Sequence, residues 1–247
     1  SFQPTYSPDG KEVAYLEERT TLKVVNRATK QIRTVLDGKY LYSYSDGDQH
    51  YQWSPDSRWL LVDYISVGGW NNSDVALVKA DGSGEVTNLT ESGYSDGNAK
   101  WVLDGKAMIW NSDRAGYRSH GSWGAERDIY IMFFDGEAYD KFRQSKEETA
   151  LLEDDEQKDK KDDKDDKEAD KKEEKADKPV EPLKFDLANR QDRVIRLTAH
   201  SSHLGDAVLS QKGDKLYYCA TFEKGYDLWE QDLKERSTKP LLKEVGG

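Results

Sequence analysis

Gln52-Trp53-Ser54-Pro55-Asp56-Ser57-Arg58-Trp59-Leu60-Leu61-Val62-Asp63 recurs in altered form three more times along the chain. The other copies are Tyr6-Ser7-Pro8-Asp9-Gly10-Lys11-Glu12-Val13-Ala14-Tyr15, Trp101-Val102-Leu103-Asp104-Gly105-Lys106-Ala107-Met108-Ile109-Trp110 and Leu209-Ser210-Gln211-Lys212-Gly213-Asp214-Lys215-Leu216-Tyr217-Tyr218. Each reads apolar residue, tight turn, apolar strand. In Ser-Pro-Asp-Gly the proline presets φ at the second turn position, the aspartate bonds backbone two residues on, and glycine tolerates the positive φ that closes the turn. Two antiparallel strands follow. The turn positions Pro8, Pro55, Leu103 and Gln211 fall at intervals of 47, 48 and 108 residues, the last being one period plus an insertion. A period in the forties with an aromatic-flanked hairpin in every copy predicts an all-β chain, a β-propeller in which each repeat is one four-stranded blade.

Of the 247 residues, 35% are hydrophobic and 34% charged, which looks too polar for a core until the charges are located. Glu153 to Lys178 holds 14 acidic and 9 basic residues in 26 positions, a local net of −5 out of −11. Such a run cannot bury enough apolar surface to offset its ordering entropy, so a disordered or frayed helical loop is expected, with a docking tail for a basic partner as the functional alternative. Outside it the composition is that of an ordinary globular domain, with the 7 Trp and 14 Tyr concentrated in the repeats. No apolar stretch approaches the roughly 18 residues of a membrane helix, and no charged-then-apolar leader opens the chain, so a soluble piece is expected, cytoplasmic or periplasmic. The negative balance argues against nucleic acid, since phosphate binding needs a basic face. The single cysteine, Cys219, has no internal disulfide partner and reads as a small core residue.

The spacing predicts one propeller domain over residues 1–247, with blades at about 2–36, 49–90, 99–198 and 205–243. An insertion at 137–183 interrupts the third, and 153–178 is its disordered part. Asp128 to Phe134 is the expected third strand of that blade and Arg193 to Thr198 its fourth, while Lys184 to Leu187 is an alternative third strand. Tyr139, Phe142 and Lys146 stand at helical spacing, which predicts a short helix leading into the charged run. The second strands Val13-Ala14-Tyr15, Leu60-Leu61-Val62, Met108-Ile109-Trp110 and Leu216-Tyr217-Tyr218 are apolar on both faces, as blades stacked between neighbours need. Tyr6, Trp53, Trp101 and Leu209 are expected at equivalent inner positions.

Gly121-Ser122-Trp123-Gly124 places serine one position too early for Gly-x-Ser-x-Gly, with no strand leading into it, so a glycine-rich loop is the preferred reading. His200, His203 and Asp206 form His-x-x-His followed by a carboxylate, donors that divalent metals favour. They lie between two predicted blades and lack a general-base glutamate, so they read as loop histidines. His50 and His120 stand alone. Asp46-Gly47, Asp81-Gly82, Asp96-Gly97 and Asp135-Gly136 read as turns, because none has the alternating carboxylates of a calcium loop. No catalytic, cofactor-binding or metal-ligating residue is assigned, and no cofactor is expected.

The repeats resemble the WD-like propeller repeats shared by TolB-type proteins and tricorn-type proteases. Gly121-Ser122-Trp123-Gly124-Ala125-Glu126, Asp128-Ile129-Tyr130-Ile131-Met132-Phe133-Phe134, Ala138-Tyr139-Asp140-Lys141-Phe142 and Ser201-Ser202-His203-Leu204-Gly205-Asp206-Ala207 look like the propeller region of bacterial tricorn-like serine peptidases of the carboxy-terminal-processing type. The resemblance implies a non-catalytic module that guides or filters peptides or unfolded proteins toward a catalytic domain outside this chain, in a parent that also carries a PDZ-like module. It also implies six or seven blades in the parent, so that this chain is a fragment. The family's catalytic residues have no matching positions here. A TolB-like propeller that binds other proteins and serves no enzyme is the alternative. Homo-oligomerisation is open under both, and neither nucleic acid nor membrane insertion is expected.

Overall fold

A computed structural model describes residues 2–45, 47–66, 69, 71–118, 123–149, 151, 180–222 and 224–246. Among them are four antiparallel sheets of four strands, each in simple sequential order. The first comprises β1 (Phe2–Tyr6), β2 (Glu12–Glu17), β3 (Thr21–Asn26) and β4 (Ile32–Leu36). The second comprises β5 (Tyr51–Trp53), β6 (Trp59–Tyr64), β7 (Asp74–Lys79) and β8 (Val86–Asn88). The third holds β9 (Asp96–Val102), β10 (Ala107–Ser112), β11 (Asp128–Phe133) and β12 (Val194–Arg196), and the fourth β13 (His203–Leu209), β14 (Lys215–Thr221), β15 (Tyr226–Asp232) and β16 (Ser237–Gly246). This is the blade meander of a β-propeller.

The repeated turn is held by its serine. The amides of Ser7, Ser54 and Ser210 donate to the carbonyls of Glu12, Trp59 and Lys215 at 3.0, 2.8 and 2.8 Å. The same three partners donate their amides back to the serine hydroxyls at 3.0, 2.9 and 3.0 Å. Gly10 and Gly213 close their turns at φ 68° and 73°, and Ser57 does so at φ 61° without being glycine. Its hydroxyl accepts the Asp9 amide of the neighbouring turn at 3.1 Å, a contact glycine lacks. The third turn has no serine, and its Leu103 and Asp104 both adopt left-handed backbone at φ 52° and 55°.

Three apolar cores lie between successive blades. Ala14, Leu16, Leu22, Trp53, Leu60 and Val78 belong to the first core, Leu61, Leu77, Met108, Trp110 and Met132 to the second, and Ile109, Ile131, Phe133, Leu216 and Tyr218 to the third. Alternate residues of β6, β7, β10 and β11 thus enter different cores, so these strands are apolar on both sides. The first strands of successive sheets lie side by side: Trp53 Nε1 donates to Thr5 O at 3.1 Å, Trp101 Nε1 to Gln52 O at 3.3 Å and Lys100 Nζ to Ala207 O at 3.0 Å. They form the inner wall, and the end carrying the serine turns is called upper.

β11 pairs with both β10 and β12, so residues 128–133 form the third strand and 184–187 do not. Residues 180–193 instead return as an arm across the second and third blades. Leu183 N donates to Asp56 Oδ2 at 2.8 Å, and the Phe185 ring lies 5.3 Å from both Trp59 and Phe134. The outgoing arm is α1 (Gly136–Arg143), whose Phe142 packs 5.0 Å from Phe133 and whose end receives Lys234 Nζ at Phe142 O and Gln144 O. The charged run 153–178 lies outside the described residues. No helix among the described residues is long and apolar enough to cross a membrane.

Four expectations need correcting. Tyr6 is 63% exposed whereas Trp53 is 5% exposed, because Trp53 rests on the preceding blade's first strand and Tyr6 has no such strand beneath it among the described residues. Cys219 is half-buried rather than in a core, since Tyr218 and Ala220 on either side of it point into the third core. Asp96-Gly97 opens β9 instead of making a turn, and Asp135 caps α1 by accepting Ala138 N at 2.9 Å. Tyr217 of β14 and Val13 and Tyr15 of β2 are half-buried, so the second strands of blades one and four bury one face.

Candidate functional site

Two parts of the molecule gather chemistry. At the upper end, where β5, β9 and β13 finish, a cavity of about 440 Å³ is lined by Pro55, Trp101, Val102, Leu103, Leu209 and Gln211, among others. Its walls are the inner turns of blades two, three and four, and the arms of the insertion flank it. Leu183 crowds Gly105, where an added Cβ would meet it at 2.7 Å, and Gly213 faces Leu103 and Phe142. The lining mixes the apolar Trp101, Val102, Leu103 and Leu209 with the polar Asp104, Ser210 and Gln211, a combination that suits both the side chains and the backbone of an extended polypeptide.

The lower end is polar and braced. Asp74 and Asp128, each the first residue of a third strand, accept the hydroxyls of Thr90 and Thr198 at 2.9 and 2.7 Å. Those hydroxyls accept the amides of Val75 and Ile129 at 3.1 and 3.2 Å, so one threonine satisfies a strand amide and a buried carboxylate together. Asp96 receives Trp110 Nε1 at 3.2 Å and Arg114 NH2 at 3.0 Å, and the Arg114 guanidinium lies 4.9 Å over the Tyr130 ring. Asp113 pairs with Arg118 at 3.2 Å, and Arg127 donates to Ser95 O and Asn111 Oδ1. Nothing local in the sequence marks these pairs, whose members lie up to 70 positions apart. The parallel between Leu89-Thr90 and Leu197-Thr198 was the available signal.

On the inner wall, His50 and Asp63 meet the start of β9. The His50 ring nitrogen lies 2.7 Å from Ala99 O, and Asp63 Oδ2 accepts Asn98 N at 2.7 Å. Gly97 leaves room for that carboxylate, because an added Cβ would sit 2.7 Å from Asp63 Oδ2 and push it aside. Asp63 Oδ1 is buried without a hydrogen-bond partner among the described residues. Burial pushes the Asp63 carboxyl up to about 6, against the opposing pull of His50, the amides of Asn98 and Ala99, and Arg127.

The residues singled out from sequence are not brought together. Gly121 and Ser122, with His120, lie outside the described residues. His200, on the link into β13, and His203, the first residue of that strand, are exposed, while Asp206 pairs with Lys100 across to blade three. Partial burial raises the Asp206 carboxyl, and the Lys100 ammonium with the Ala207 amide outweighs it and holds the group below the usual carboxylate range. No group of three or more His, Cys, Asp or Glu side chains among the described residues is placed to hold a metal.

No protein-family model matches the chain, and no curated protein matches it in sequence. Solved structures do match in fold. TolB from Acinetobacter baumannii is similar over 98% of this chain and 43% of its own, at TM-score 0.53 and 19% identity. The tricorn protease is similar over 98% of this chain and 22% of its own, at TM-score 0.59 and 12% identity. A prolyl endopeptidase structure is similar over 99% and 29%, at TM-score 0.52 and 13% identity. The chain therefore shares a propeller fold with both peptidases and TolB, and spans less than half the length of each.

Proposed function

We propose that this chain is a non-catalytic β-propeller module of a tricorn-like serine peptidase, which receives extended or unfolded polypeptide and steers it toward a catalytic domain outside these residues. The observation that carries the reading is the upper cavity, a mouth of mixed apolar and polar lining at the end of the inner strands with an anchored arm on either side. Its role is positioning, and hydrolysis in the parent uses groups that this chain does not supply. Titrating the full chain into a labelled unfolded peptide tests this by anisotropy. Gln211→Trp, which fills the mouth from an exposed turn, should weaken binding roughly ten-fold. Unchanged binding in a folded Gln211→Trp variant would remove the mouth from the account.

The second reading is a TolB-like propeller that docks folded proteins. It is favoured by exposed aromatics gathered on lower-end loops: Tyr42, Tyr44, Tyr94, Tyr117 and Trp123. Tyrosine and tryptophan concentrate at protein interfaces. A Tyr44→Ser, Tyr117→Ser double variant keeps peptide binding under the first reading and loses a partner under the second.

A further inference from the structure

A second cavity, unconnected with the upper mouth, opens between the first and second blades. This cleft of about 790 Å³ is lined by Tyr40, Tyr64, Ser66, Asp74, Glu91 and Ser92, among others. Four carboxylates at the lower end are almost wholly buried: Asp74, Asp96, Asp113 and Asp128. Three carry an arginine, with Arg114, Arg118 and Arg196 at 3.0, 3.2 and 2.8 Å. Asp74, 3% exposed, has no cation within ion-pair distance among the described residues. It is hydrogen-bonded by Thr90, Ser92 N, Asn88 Nδ2 and Ser66, all neutral donors. Since Asp128 has the same threonine brace plus Arg196, the vacant feature in blade two is the positive charge. A buried carboxylate is ordinarily paired.

The walls beside Asp74 suit such a charge. Tyr40 and Tyr64 stand 6.3 Å apart at 50°, and the chain's own Lys39 ammonium already rests 4.9 Å over the outer Tyr40 ring. Aromatic faces attract ammonium groups, and flat rings accommodate a methylene stem. Burial first, and then the Asp74 charge, push the Tyr64 hydroxyl up to about 12, so the ring stays neutral and does not compete as an anion. Glu91, the other lining carboxylate, is engaged by Arg190 at 2.9 Å.

We propose that this cleft binds a primary alkylammonium, with the charge beside Asp74, Ser66 and Ser92 and the stem lying against Tyr40 and Tyr64. A lysine side chain of a polypeptide and a free small amine share that chemistry. Isothermal titration of the full chain with butylammonium, and with N-acetyl-lysine amide as the polypeptide stand-in, tests the site. Both should bind saturably, and the side-chain-acetylated lysine, which lacks the charge, should not. Asp74→Asn should weaken binding roughly ten-fold, and Tyr40→Leu, at a half-buried ring outside the threonine brace, about three-fold. A lysine amide tighter than butylammonium by about ten-fold assigns a polypeptide ligand, and equal affinities assign a free amine. No saturable binding by either probe, equal binding of the acetylated control, or full binding in both folded variants would overturn the proposal; should Asp74→Asn fail to fold, Tyr40→Leu and the control decide.

Discussion

Blades two and three bury both faces, whereas blades one and four bury one. Every residue of β11 is buried, and in β7 Val75 and Leu77 face the second core while Ala76 and Val78 face the first. In β2 and β14 burial alternates, with Ala14 and Leu16, or Leu216, Tyr218 and Ala220, inside and their neighbours half-buried. Yet the open faces are not polar: Val13, Tyr15 and Val25 lie on one, and Val208, Tyr217 and Leu228 on the other. A run that is apolar on both sides therefore reports what a strand can pack against, and only the structure reports which side is packed.

The largest effect expected from this difference is at the third core. Phe133 is fully buried and touches Tyr139 and Phe142 across to the outgoing arm. Phe133→Ala should cost about 3–5 kcal/mol, the usual range for emptying a buried aromatic site. Tyr217→Ala on the open face of blade four removes a half-buried ring and should cost about 1 kcal/mol. Urea midpoints at constant slope measure both. Equal losses would mean that the open face is as well packed as the closed one.

Among the described residues the middle blades alone show the threonine brace, which gives the next effect. Thr198→Val keeps the shape but leaves the Ile129 amide and the Asp128 carboxylate each one partner short in a dry setting, a loss of about 1–3 kcal/mol. Thr90→Val should behave alike in blade two. A cost near zero in both would show that water replaces the hydroxyl.

How far the sequence could be read follows from the range of each interaction. The hairpins were legible because Ser7, Ser54 and Ser210 act within five residues of their partners. The helix at α1 was legible from Tyr139 and Phe142, one turn apart. Phe185 was ambiguous, because an apolar residue between polar ones fits a strand or an arm, and its choice is made by Trp59, Trp101 and Phe134 far away in sequence. The Asp63 setting was illegible for the same reason: its neighbours Asn98 and Arg127 come from another blade. In the upper mouth, Trp101 and Leu209 are legible as inner residues from their place in the repeat, but their convergence with Pro55 needs the ring geometry.

Asp63 supplies a third, pH-dependent difference, since its carboxyl, with Oδ1 buried, is wedged between the two middle blades. Its folded value of about 6 lies above the ordinary aspartate value of 3.8, so between these the folded state holds more protons than the unfolded state. Its contribution to stability is therefore full below about pH 4 and is lost as pH rises through about 6. Asp63→Asn should flatten that part of the stability profile, by on the order of 1–2 kcal/mol, in denaturation series from pH 4 to 7. A profile parallel to the parent's would place the proton elsewhere.

The sharpest comparison of a middle blade with an outer one is between two single residues. Trp53 and Tyr6 occupy the same place in their repeats, at the end of a first strand just before the serine turn. Trp53 is buried and its indole N–H reaches Thr5 O on the preceding blade at 3.1 Å, whereas Tyr6 is exposed with the Arg27 guanidinium 5.3 Å over its ring. Trp53→Phe keeps an aromatic ring but loses that hydrogen bond and some ring volume, which should cost about 1–2 kcal/mol. Tyr6→Phe changes a solvated hydroxyl and should stay within about 0.5 kcal/mol of the parent. If the two substitutions cost the same, Tyr6 has a covering neighbour in solution and the first blade's open face is occupied. If they differ as stated, equivalence in the repeat does not confer equivalence in energy, because the worth of each inner aromatic is set by the strand beneath it.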